Sequence, residues 1–127
     1  MRYFIFLALL FSIILTKAQT KSYLDSIANQ ELSLSNIDFA KLVADIPYDK
    51  ALQNKELFFQ LSEKAVSIST KEKNNELLAK SFTQLALAYY FSSKPDLSVE
   101  FNIKAAGLFK KNNDLESYAR CYLNLGW

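Results

Sequence analysis

The sequence predicts an all-α protein, an α-solenoid of antiparallel helix pairs that follows a cleavable signal peptide. Three observations predict it. The chain resembles itself at a spacing of 40 residues: Ala79, Phe82, Leu85 and Ala86 are answered by Ala119, Tyr122, Leu125 and Gly126, and Lys64, Ala65 and Ile68 by Lys104, Ala105 and Leu108. Self-similarity at such a period marks an array of helical units, each burying its apolar face against the next. Hydrophobic residues make up 50% of the 127, enough for a core, yet only 2 Gly and 2 Pro interrupt them, which favours long helices over turn-dense β structure. Within the uninterrupted stretches the apolar residues return every third or fourth position, the period of one helix face.

The N-terminus reads as an export signal over residues 1–18. Arg2 supplies a positive start, Tyr3 to Leu15 form an apolar run, and Thr16-Lys17-Ala18 place small residues at the sites a signal peptidase reads before Gln19. A membrane span needs about 20 apolar residues, and Lys17 closes this run too early. No Cys follows it, so a lipid anchor is not expected. The expected location is the periplasm of a bacterium, or beyond.

Residues 19–48 read as a helical leader or cap. Tyr23, Leu24, Ile27, Ala28 and Leu32 suggest one short helix. A second carries Ile37, Phe39, Ala40, Leu42, Val43 and Ile46 and is stopped by Pro47, which disfavours helical geometry in the residue before it. The repeat signature fades here, since Asp45, Ile46 and Asp49 stand 40 residues before Leu85, Ala86 and Tyr89.

Residues 49–127 read as the repeats. Asp49 to about Lys73 shows no breaker and carries the stripe Leu57, Phe58, Leu61, Ala65 and Ile68, with Glu56, Glu63, Lys64 and Lys71 largely off it. After the polar Lys73-Asn74-Asn75, a helix from Glu76 to about Ser92 is apolar on more than one side, with Ala79, Ser81, Ala86 and Ala88 small enough for close neighbours. Ser92 to Asp96 turn the chain, and Pro95 opens a helix to about Lys111, in whose first turn a missing N–H leaves no bond unmade. Asn112-Asn113-Asp114 break the pattern before a last helix from about Leu115 to the end of the chain. Tyr118, Tyr122 and Leu125 give that helix an apolar face whose partner would lie beyond Trp127. Either the chain is a fragment of a longer reading frame, or this face binds another chain, self-association included.

Composition excludes much chemistry. With no His and a single Cys, Cys121, the chain lacks the commonest general base and metal ligand and any thiolate zinc site. No metal or cofactor is expected, and Cys121 reads as a small residue packed between helices. Two Gly, at 107 and 126, cannot form a phosphate-cradling loop. The one-turn pair Glu72 and Glu76 reads as surface charge. Removing residues 1–18 takes away Arg2 and Lys17 and leaves basic and acidic residues equal at 13 each, interleaved along helices, which argues against a nucleic acid partner. The chain reads as a non-enzyme.

From about residue 50 to 127 the chain resembles the tetratricopeptide repeat family, whose pattern sets large residues into gaps left by small ones across a helix pair. Phe82, Leu85, Ala86 and Tyr89 match the first helix of the clearest unit, and Ala105 the late small residue of the second. Ser98 stands for an expected Ala, and Asn102 stands where a large aromatic is usual. A period of 40 exceeds the family's usual repeat of about 34, and the terminal Pro is missing. Longer-period variants occur in the exported sensor regions of bacterial signalling proteins, ahead of a histidine kinase or a helix-turn-helix regulator.

The resemblance implies a concave groove for a peptide or partner helix, lined by Lys80, Thr83, Leu87 and Tyr90 from one helix and by Arg120, Leu123 and Trp127 from the next. Members that grip a C-terminal carboxylate use Lys and Asn at groove sites where this chain has Thr83 and Leu87, so carboxylate capture is not expected. The function implied is a protein-protein interaction module, the periplasmic sensor part of a larger signal transducer. A self-standing secreted adaptor is the alternative.

Overall fold

The computed structural model describes residues 22–126 together with Tyr3, Ile5, Leu7 and Ala8, which are helical and exposed. The rest of the expected signal segment and Trp127 lie outside the described residues. Between residues 22 and 126 every regular element is helical: α1 (Tyr23–Asn29), α2 (Asn36–Ala44), α3 (Tyr48–Ala51), α4 (Lys55–Lys71), α5 (Asn75–Phe91), α6 (Pro95–Lys111) and α7 (Leu115–Asn124). None of the described helices is long and apolar enough to cross a membrane.

Helices α4 to α7 start at a fixed interval. Their N-caps are Asn54, Asn74, Lys94 and Asp114, and α4, α5 and α6 are each 17 residues long. Each junction is made the same way. Lys73, Ser93 and Asn113 take the left-handed conformation, at φ of 52, 57 and 60°. The N–H of each donates to a carbonyl three residues back, Thr70, Tyr90 or Lys110. The next N–H donates five residues back, Asn74 to Ser69 at 3.1 Å, Lys94 to Tyr89 at 3.0 Å and Asp114 to Phe109 at 2.9 Å. This double closure satisfies the last carbonyls of a helix. Its final residue is already the N-cap of the next helix, so the chain reverses in three residues. The 40-residue period of the sequence is therefore two such steps, one helix and one turn each.

Three of these caps are side-chain caps. The Oδ1 atoms of Asn54, Asn74 and Asp114 accept from the backbone N–H three residues on, at 3.1, 3.0 and 3.0 Å. Lys94 offers no acceptor, and Pro95 at the first helical position removes one of the N–H groups that would need it. The Asn54 cap corrects the expectation of one unbroken helix from Asp49 to Lys73. Asn54 is extended at φ −149° and starts α4, leaving α3 as a separate turn behind Leu52 and Gln53. An Asn amide competes with the helix for backbone N–H groups, and at this position it wins.

Packing follows chain order: α5 lies against α4 and α6, and α7 against α6. The leader is not a separate body, because α2 packs on both α4 and α5. Leu24, Phe39, Val43 and Phe58 are fully buried in one cluster that joins the leader to α4 and α5. Lys64 of α4 also pairs with Glu31 of the α1–α2 connection. A second cluster holds Ala79, Ala105, Ala106, Phe109 and Cys121, where α5, α6 and α7 meet. An aromatic seam closes α4 to α6: Phe59 meets Tyr89 edge-on at 5.2 Å, Tyr89 stacks on Phe101 at 5.4 Å, and Phe101 meets Phe82 at 5.5 Å. Between α4 and α5, Ser69 Oγ and Ser81 Oγ lie 3.2 Å apart, and each can donate to the carbonyl four residues back. Small side chains permit that approach.

Candidate functional site

Lys80, Thr83, Leu87 and Tyr90 fall at spacings of three and four on α5, which puts them on one face. Beside that face runs a trough of three adjoining depressions. The first, of about 320 Å³, lies between Lys41 and Asp45 at the end of α2 and Glu76 and Lys80 of α5. The second, of about 230 Å³, is walled by Ala44, Asp45, Lys80 and Thr83 on one side and by Ser117, Arg120 and Asn124 of α7 on the other. The third, of about 340 Å³, lies among Tyr48, Thr83, Leu87, Tyr90, Ser98 and Asn102. Neighbouring depressions share Ala44, Asp45 and Lys80, then Thr83, Gln84 and Asn124, so the trough is continuous along α5.

Five of the residues expected to line a groove are brought together here. Lys80, Thr83 and Arg120 wall the second depression, and Thr83, Leu87 and Tyr90 the third. Leu123 is 70% exposed and lines none of the three. Trp127 lies outside the described residues. Asp45, Gln84, Asn102 and Asn124 also line the trough and escaped the sequence reading. Of these, Asn102 carried a signal, as a short polar residue where a large aromatic was expected.

The two ends of the trough differ in charge. Lys41, Asp45, Glu76, Lys80 and Arg120 gather toward the start of α5, whereas no charged side chain lines the third depression. Two of the three cations there have partners on their own helices, Lys80 with Glu76 at 3.5 Å and Arg120 with Glu116 at 2.7 Å. Both pairs are exposed and add little to stability.

Cys121 is among the residues lining the second depression, yet it is only 1% exposed. Burial pushes its thiol above the ordinary value of 9.0, against a smaller opposing effect of hydrogen bonding with Thr83. Such a thiol is a poor nucleophile at neutral pH. Among the described residues no group of three His, Cys, Asp or Glu side chains is placed to hold a metal ion. Comparison with protein-family models, curated proteins and solved structures finds no match.

The other candidate surface is the last helix. Tyr118, Tyr122 and Leu125 are half-buried rather than open. The two tyrosine rings meet edge-on at 5.0 Å and pack on the Ala79, Phe109 and Cys121 cluster, with Lys110 Nζ 5.9 Å from the Tyr118 ring centre.

Proposed function

We propose that this chain is an exported, non-enzymatic protein-protein interaction module of the tetratricopeptide type, a helical solenoid that takes an extended peptide or a partner helix in the trough along α5. The observation that carries this reading is the continuity of that trough, with α5 as its axis and α2 and α7 facing it from either side. Alternate helices lining one concave face is the arrangement by which helical arrays present extended binding surfaces. Tyr90 and Arg120 on that face are residue types enriched where binding energy concentrates. Service as the input region of a signal transducer is proposed on the sequence resemblance alone.

Site-specific photocrosslinking tests it. A benzoylphenylalanine introduced at Leu87 should trap a partner protein in the cells that make this chain, and one at Val99 on α6, outside the trough, should not. Equal crosslinking at both positions, or none at Leu87, would reject the trough as the binding face. Export is tested by intact mass. Protein recovered from the periplasm should begin at Gln19, and a chain that retains residues 1–18 would rule out the cleaved signal.

A further inference from the structure

The outer surface of α6 carries a stripe that is symmetric about its own middle. Asp96, Val99, Ile103, Gly107 and Lys110 follow one another at steps of three or four residues, which keeps them on one face of the helix. All five are exposed, and the large apolar pair, Val99 and Ile103, are 42% and 52% exposed. The other large apolar side chains of α6, Leu97, Phe101, Leu108 and Phe109, are buried or half-buried. About Ile103 the stripe balances, with Val99 and Gly107 equally far from it on either side, and Asp96 and Lys110 equally far beyond them. The fold does not require Gly107. A Cβ there would meet nothing within 4 Å, although Gly inside a helix is destabilising relative to Ala. Charge is divided along the same face, with Asp96 and Glu100 toward the start of α6 and Lys104, Lys110 and Lys111 toward its end. Glu100 and Lys104 pair with each other at 2.7 Å, whereas among the described residues neither Asp96 nor Lys110 has an ion-pair partner.

We propose that this face is the contact between two copies of the chain, their α6 helices antiparallel across a two-fold axis at Ile103. In a two-fold contact each pairing occurs twice with the roles exchanged. With the axis at Ile103, that residue meets its own copy, Val99 of each chain lies over Gly107 of the other, and Asp96 of each reaches Lys110 of the other. A position without a side chain lets the opposing helix come close. Charge complementarity fixes the direction. Parallel helices would set Asp96 against Asp96 and Lys110 against Lys110, whereas antiparallel ones join opposite charges and opposite helix dipole ends. Two large apolar side chains per copy make a contact smaller than the standard interface of about 1,600 Å², so the dimer is weak and forms as concentration rises. None of the five residues lines the trough, and the contact does not depend on what the trough binds. A crosslink that joins two copies through Val99 gives a product of twice the chain's mass, distinct from the foreign partner sought at Leu87.

Sedimentation equilibrium of the chain, in the form in which its cells make it, tests the contact over concentrations from about 10 µM to about 1 mM. The protein should pass from monomer toward dimer across that range. Asp96→Lys and Lys110→Asp should each weaken the dimer at least fivefold, because each sets like charges against one another at both ends of the contact. Mixing the two variants in equal amounts should restore it, since every charge of one then faces its opposite on the other. Gly107→Leu should raise the unfolding midpoint of the dilute monomer, Leu being the better helix former, and yet weaken the dimer at least fivefold by occupying the place of Val99. A chain that stays monomeric to the top of the range would overturn the proposal. So would a dimer that Gly107→Leu strengthens, which is what added apolar surface alone would do, or one that ignores both charge changes or that the mixture fails to restore. Should a charge variant fail to fold, Gly107→Leu still decides the matter.

Discussion

The side-chain amide of Gln84 donates to the main-chain carbonyl of Val43 at 2.9 Å, joining positions 41 residues apart. The same Nε2 lies 3.2 Å from the Ala44 carbonyl and 3.0 Å from that of Ile46. The last carbonyls of a helix have no partners within it. Here α5 supplies a donor for those of α2, and so fixes where the leader ends and the trough begins.

Replacing Gln84 by Ala should therefore destabilise the protein by about 1 to 3 kcal/mol, because the buried Ile46 carbonyl loses this donor, whereas that of Val43 keeps the Ile46 N–H. Chemical denaturation measures the loss. Amide hydrogen exchange should locate it, with protection falling first over residues 36–46. A uniform fall across α5 and α6 would show that Gln84 does not act through α2.

Glycine is absent from the left-handed positions at the three junctions and present inside α6, where it does not help. Lys73 and Ser93 pay the steric penalty of the left-handed conformation, and Gly there should gain roughly 0.5 to 1 kcal/mol each. Asn113 tolerates that conformation better, so its replacement should gain less. Gly107 is helical with open space where a Cβ would go, and Gly107→Ala should gain about 1 kcal/mol. Thermal melts of the four single variants give the order.

The caps make a graded series. Asn74→Ala should lose about 1 kcal/mol, and Lys94→Asp, which puts an acceptor at the one junction of α4 to α7 that lacks it, should gain roughly 0.5 to 1. Asp114 adds a pH dependence. Hydrogen bonds from the Ser117 backbone N–H and hydroxyl hold its carboxyl below the ordinary value of 3.8, helped by Lys80 and Arg120. A lowered pKa in the folded state stabilises the protein above that ordinary value and is lost as pH falls through the lower one. Asp114→Asn keeps the cap geometry and should flatten this part of the acid-unfolding curve. An unchanged curve would show that other carboxylates control it.

Cys121 should resist modification. At pH 8 a thiol reagent should react with it only as fast as the α7 region opens, and denaturant should bring the reaction to that of a free thiol. The sign at high pH is opposite to that of Asp114. A thiol raised above 9.0 when folded stabilises the protein below that value, and this contribution fades as pH climbs through the folded pKa. Cys121→Ser should remove the alkaline loss. A rapid reaction in the native protein would contradict its burial.

Helices α5 to α7 were legible because their signals are local. Asn-rich junctions, the Pro95 start and unbroken apolar stripes each act within a turn or two of the chain, and the boundaries at Pro95 and Leu115 fall where they indicate. The break before α4 was less legible. Asn54 differs from a mid-helix Asn only in that its amide meets the Leu57 N–H, a choice made by the backbone around it. The candidate site divides in the same way. The α5 stripe can be read from its spacing, while Asp45 and Asn124 enter the trough only because α2 and α7 lie across it.

The sequence by itself determined that the chain is helical, with a 40-residue rhythm and an apolar face on each long helix, because propensity, capping and periodicity are properties of neighbouring residues. Tertiary structure alone decided that the leader belongs to the core and that Asn102 lies buried with an unpaired oxygen. Those outcomes depend on which groups meet across tens of residues of chain, and the burial and hydrogen bonding of a side chain are set by the groups it meets.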